Sequence, residues 1–132
     1  MPALLYEKRG HTAWITLNRP EHKNIMNAEM FLLLSEAWDI VRDDEEVRVA
    51  VLTGAGREDF CCGGDLAEVI PLWTGSREPV SDTEQKLASD TQIVARCMLQ
   101  LEPLYKPIVG AFNGRALGGG CEILQATDIR IA

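Results

Sequence analysis

The sequence predicts an α/β protein with a largely parallel sheet, and two observations carry that class. Val47 to Thr53 is a β-branched, nearly continuous apolar run, as a strand covered on both faces requires, and Ile108 to Phe112 opens a second strand. Apolar stripes at helical spacing stand before and between them, an order that gives parallel strands joined by helical crossovers. Alternation by itself points to a doubly wound sheet.

Element by element, Tyr6 to Arg9 and Thr12 to Leu17 read as strands around a turn at Gly10, with Ala13, Ile15 and Leu17 on one face. Asn27 is placed to cap a helix and Glu29 to meet its positive dipole end, while Phe31, Leu34, Trp38 and Val41 recur at core spacing. The acidic run Asp43-Asp44-Glu45-Glu46 reads as a solvated loop. Asp65 and Glu68 have capping-box spacing for a short helix that Pro71 ends. Leu72 to Val80, with Gly75 and Pro79, has no periodicity and is expected to be mobile. Ser81 and Glu84 form another capping box, opening a helix expected to carry Leu87, Val94, Met98 and Leu101 to the core. Pro103 and Pro107 bracket the connection to the Ile108 strand. No internal repeat, low-complexity tract or linker divides the chain, so residues 1–132 read as one domain.

Hydrophobic residues make up 46% of the chain and charged residues 25%, which is ordinary for a globular protein. The formal net charge of −7 argues against nucleic acid as a partner, since phosphate backbones select basic surfaces. No apolar run approaches a membrane span and the first residues do not read as a signal peptide, so no membrane partner and a cytoplasmic location are expected. Cys61, Cys62, Cys97 and Cys121 have neither zinc spacing nor a C-x-x-C pair; no metal is expected, and they read as small core residues. A nucleophilic thiol would need a base, and His11 and His22 lie in the N-terminal region with no evident orienting group.

The chemistry concentrates in Leu117-Gly118-Gly119-Gly120-Cys121-Glu122. Three glycines strip side chains from a turn, and a helix starting there presents unpaired N–H groups and its positive dipole end to a ligand. Such a turn can hold a developing negative charge while Glu122 handles a proton. The alternative is a glycine turn packed tightly under a sheet, with Glu122 solvated. A second junction, Thr53-Gly54-Ala55-Gly56 followed by Phe60-Cys61-Cys62-Gly63-Gly64-Asp65-Leu66, could supply another N–H to the same oxygen. Neither region has the lysine of a phosphate-binding loop, and Gly54-Ala55-Gly56 lacks the third glycine of the dinucleotide fingerprint.

With Asn18-Arg19-Pro20-Glu21-His22-Lys23-Asn24 and Asn113-Gly114-Arg115-Ala116-Leu117-Gly118-Gly119-Gly120, these segments resemble, in order and spacing, the crotonase or enoyl-CoA hydratase/isomerase superfamily. The resemblance implies a spiral of ββα turns in place of the doubly wound sheet. It covers the whole chain but only the N-terminal part of the family's length; Asp128 to Ala132 reads as an opening strand. The chain is therefore expected to be an incomplete core domain lacking the C-terminal trimerisation helices, inactive and marginally stable alone.

The implied activity is hydration of a 2-enoyl-CoA through a thioester enolate held by two backbone N–H groups, which the resemblance places on Cys62 and Gly119. Each such donor is worth about 3 kcal/mol. Glu122 falls on one of two hydratase glutamates, the other lying beyond Ala132. Lys23, Ile25, Gly64, Asp65 and Leu66 fall on main-chain contacts to coenzyme A, with Cys62, Gly118 and Gly119 at the thioester. Ile25 and Gly64 stand where alanine is frequent. Coenzyme A is part of the substrate, so no separate cofactor is implied; a homotrimer or dimer of trimers is implied at full length. Enoyl-CoA isomerisation, or a non-catalytic acyl-CoA-binding or scaffold role, are the alternatives. Arg19, His22 and Lys23 form a cationic cluster that suits either a phosphate or solvent. Asp65 reads as a helix cap in preference to a catalyst.

Overall fold

A computed structural model describes residues 1–101 and 103–132. Its main sheet holds β1 (Leu4–Arg9), β2 (Thr12–Leu17), β3 (Val49–Gly54), β5 (Ile108–Ala111) and β7 (Ile129–Ile131), side by side in that order. The first two form an antiparallel hairpin with Leu4 opposite Leu17, and every later pairing is parallel. A second, two-stranded parallel sheet joins β4 (Asp59–Cys61) to β6 (Arg115–Ala116). The order never reverses across the main sheet, as a doubly wound sheet would. From β3 on, each step instead adds a strand to the main sheet, a short strand to the second sheet and then helix, which is the spiral of ββα turns. Phe60 and Phe112 meet edge to face at 5.1 Å between the two layers.

The helix α1 (Ala28–Asp43) begins as its residues dictate: Asn27 Oδ1 accepts the Met30 N–H at 3.0 Å. It buries Phe31, Leu34, Trp38 and Val41 in the core, and Trp38 Nε1 donates to the Cys97 carbonyl at 2.9 Å. Asp43 is the last helical residue rather than loop, and Asp44 and Glu46 both receive Lys8 Nζ, at 3.0 and 2.7 Å.

Three expectations about the middle of the chain give way. Pro71 does not end a helix; it is the third residue of α2 (Val69–Thr74), inside the first turn where its missing N–H breaks no helical bond. Gly75, with φ 71°, ends that helix, so Leu72 to Thr74 are helical. Neither capping box closes. Asp65 Oδ1 accepts from Ala67 and Glu68, but the Glu68 carboxylate turns to the Ala28 N–H at 2.9 Å. Ser81 Oγ caps α3 (Asp82–Ser89) through the Glu84 N–H, while the Glu84 carboxylate accepts from Val80 at 2.7 Å and from Arg77. The long helix breaks at Asp90, whose carboxylate takes the Gln92 N–H at 2.9 Å, and resumes as α4 (Gln92–Cys97). Leu101 consequently stays 47% exposed. Among the described residues no helix is long and apolar enough to cross a membrane.

Candidate active site

The last helix, α5 (Gly119–Gln125), starts from Gly118 in a conformation with φ 52°, and the earlier turn bends at Gly63 with φ 100°. The two turns touch: a Cβ built on Gly119 would lie 3.8 Å from Gly63 Cα, and one built on Gly63 would lie 3.5 Å from Gly119 N. Gly120 serves a different need. A Cβ there would collide with the Cys61 carbonyl, so this glycine is what lets α5 start directly on β4. Backbone bonds from Leu117 N to Cys61 O (3.0 Å), Met26 N to Gly63 O (2.8 Å) and Asp65 N to Met26 O (2.9 Å) fix both turns.

Donor bookkeeping changes the expected site. The Cys62 N–H, assigned above as the first oxyanion donor, already donates to the Lys23 carbonyl at 3.2 Å and faces the chain instead of a ligand. Two residues on, the Gly64 N–H has no acceptor among the described residues, and neither does the Gly119 N–H at the start of α5. The parallel bridge with Met26 uses the groups on either side of Gly64 and leaves its own donor free. Both donors therefore remain open to an acceptor from outside the chain. Glu122, three residues after Gly119 and so on the same face of the helix, is exposed, and its carboxylate has no partner among the described residues.

The other expected residues divide into two groups. Lys23 (φ 54°) and Leu66 (76% exposed) are open to solvent beside these turns, and Ile25 is half-buried with its carbonyl accepting Arg19 Nη1 at 2.8 Å. Asp65 faces Arg19 at 3.5 Å, both side chains only 15% exposed. Arg19 is thereby committed to the fold, which leaves His22 and Lys23 of the cationic cluster facing solvent. Asp65 acts as the turn cap that its residue type suggests.

Sequence reasoning missed the scaffold beneath. Buried Asn24 donates to the carbonyls of Ala55 and Asp59, at 2.9 and 2.8 Å, and accepts the Arg19 N–H at 2.9 Å. Asn113 accepts from Gly54 N at 3.0 Å and donates to Gly56 O at 3.0 Å. Both asparagines sit in the matched motifs, and that placement was the available signal. Arg115 grips Asp59 with Nε at 2.6 Å and Nη2 at 3.1 Å, joining the strands that carry the two turns and holding the carboxyl below its usual range. The Cys62 thiol donates to the same Asp59 at 3.2 Å; burial first, then that carboxylate, pushes its pKa up. Burial pushes Cys61 up to about 11 and Cys97 up as well, so these three thiols stay protonated near neutral pH.

Residues 7–132 match the family model described as Enoyl-CoA hydratase/isomerase. The chain is 42% identical over 132 residues to the (E)-benzylidenesuccinyl-CoA hydratase of Thauera aromatica, covering 100% of this chain and 47% of that protein. It is 35% identical over 129 residues to the short-chain-enoyl-CoA hydratase of Clostridium acetobutylicum, covering 98% and 46%. The crystal structure of carnitinyl-CoA hydratase from Mycobacterium avium superposes with a TM-score of 0.77 at 32% identity, over 100% of this chain and 46% of that one. The chain thus spans a little under half the length of these relatives.

Proposed function

The chain belongs to the enoyl-CoA hydratase/isomerase family, and from that premise we propose that the whole protein binds acyl-CoA thioesters and adds water to a 2-enoyl-CoA. The thioester oxygen sits between the N–H groups of Gly64 and Gly119. When water attacks the β-carbon, charge moves onto that oxygen, and two preorganised donors stabilise it by about 3 kcal/mol each. Glu122 handles the proton: the hydroxyl ends on the β-carbon and a proton on the α-carbon. Coenzyme A runs along Lys23 to Ile25 and Gly64 to Leu66, with the exposed Lys23 ammonium available to a phosphate. The observation that carries this reading is the pair of unpartnered N–H groups on touching turns, with Glu122 three residues beyond the second. Isomerisation is the second reading, because one carboxylate such as Glu122 suffices to carry a proton between the α- and γ-carbons.

The test separates backbone from side chain in the full-length protein. Around Gly64 a Cβ meets nothing within 4 Å, so Gly64→Ala should keep most activity. Gly64→Pro, which has no N–H, should lose about 100-fold or more in kcat. Cys62→Ala should stay near wild type. A folded Gly64→Pro variant at full activity would remove Gly64 from the reaction, and product analysis on the same samples distinguishes hydration from isomerisation.

A further inference from the structure

The two donor turns leave the smaller sheet, and that sheet is short. β4 has three residues and β6 two, and their register slips between Asp59 and Cys61, leaving Phe60 without an opposite residue. Backbone bonds from Arg115 N to Glu58 O and from Leu117 N to Cys61 O, both at 3.0 Å, flank the slip. A two-stranded ladder of this length fixes its register weakly by itself.

A side-chain fork supplies what the ladder lacks. Arg115 donates to the Asp59 carboxylate through Nε at 2.6 Å and Nη2 at 3.1 Å, across the pairing of those same two residues. Asp59 is the anchored end: its side chain is only 7% exposed, and its carbonyl accepts from Asn24 at 2.8 Å and from Asn113 at 3.3 Å. Arg115 is the end being held. It lies four residues before Gly119, and among the described residues no side chain hydrogen-bonds to residues 116–119. The next turn, with Gly118 at φ 52°, sets Gly119 against Gly63. Without Arg115 the Asp59 carboxylate keeps one side-chain donor, the Cys62 thiol at 3.2 Å, so a buried charge must turn toward water and draw β4 away from β6.

We propose that the Arg115–Asp59 fork positions the second donor for the reaction: it locks β6 in register with β4 and so keeps the Gly119 N–H aimed at the oxygen that Gly64 also holds. Arg115 is a positioning residue in this arrangement, acting through β6 and touching no substrate. The inference rests on the reading that Gly64 and Gly119 bind a thioester oxygen.

The experiment uses the full-length protein and reads the thioester carbonyl itself, by isotope-edited infrared spectroscopy of bound butanoyl-CoA labelled at that carbon, beside kcat and KM for a short 2-enoyl-CoA. In Arg115→Ala the carbonyl band should move toward its position in water and kcat should fall about tenfold or more, because small misplacements of a catalytic group are costly. Affinity for butanoyl-CoA should stay within about threefold. Asp59→Ala should do the same, and the double variant should be no worse than either single one, since both remove one interaction. Arg115→Lys keeps the charge but loses the fork, and should fall between wild type and Arg115→Ala. Should the alanine variants fail to fold, Arg115→Lys and Asp59→Asn make the same comparison. The control is Lys8→Ala, which breaks the ties to Asp44 and Glu46 on β1, away from both turns, and should leave band and kcat unchanged. A band that does not move in a folded variant lacking the fork, or that moves equally in Lys8→Ala, overturns the fork's role alone. A wild-type protein whose bound thioester shows the carbonyl band of free thioester in water overturns the fork and the thioester reading together.

Discussion

In the proposed reaction Glu122 and Gly119, three residues apart, have different jobs, which a mutation can separate. Glu122 is exposed in the first turn of α5, so Glu122→Gln preserves shape and hydrogen-bonding capacity while removing the charge that accepts a proton. Turnover of a short 2-enoyl-CoA by the full-length variant should fall about 100-fold or more, with acyl-CoA affinity nearly unchanged. Steady-state kinetics beside a binding isotherm checks this; wild-type turnover would take Glu122 out of the mechanism. The residue scale is also where recognition misled. Cys62 occupies a motif position, but which N–H points outward depends on which neighbour uses its carbonyl, and Lys23 uses it for Cys62.

At the scale of elements, α5 and β4 depend on contact at backbone distance. Gly120 lies against the Cys61 carbonyl with no room for a methyl group, so Gly120→Ala must push the helix start away from the strand and separate Gly119 from Gly63. Thermal unfolding should show a loss of about 1–3 kcal/mol, as overpacking typically costs, and activity should fall further than stability. Gly64→Ala, where the same methyl meets open space, is the control. Lys106 illustrates a tie that linear reading misses: its ammonium donates to the carbonyls of Val41 and Asp44, at 2.6 and 2.7 Å, and closes the end of α1.

For the molecule as a whole, buried and paired ionisable groups set the pH range of stability. Arg115 holds Asp59 below the usual carboxylate range, and Arg77, then the Val80 N–H, do the same for Glu84. Because both groups bind protons more weakly folded than unfolded, their stabilisation is complete above the ordinary carboxylate pKa of about 4. It is lost as pH falls through the lower folded values. Burial raises Cys61 to about 11 and Cys97 too, so the unfolded chain ionises these thiols first and stability declines again at alkaline pH. Denaturant midpoints should be flat between about pH 5 and 8 and fall on either side. Asp59→Asn should be less stable at pH 7 and decline less steeply in acid. An acid limb as steep as wild type would dismiss Asp59 as a contributor.

The parallel strands, the Asn27 cap, the α1 core stripe and the glycine turns were legible in the residues alone, because each follows from local chemistry: apolar period, a capping oxygen, or a conformation only glycine adopts. Motif order supplied the spiral layout that periodicity could not, since alternating strands and helices fit either arrangement. The break at Asp90, the position of Pro71 inside α2 and the open capping boxes were not legible. In each, the deciding partner is either a nearby backbone group in competition or a distant one such as Ala28 or Arg77. The candidate site divides the same way. Glu122 and Gly119 could be named as candidates from a single run, whereas Gly64 replaced Cys62 as the candidate donor only once the fold had assigned the neighbouring carbonyls. A hydrogen-bond donor is free or taken according to what tertiary structure brings beside it, and no spacing along a chain encodes that.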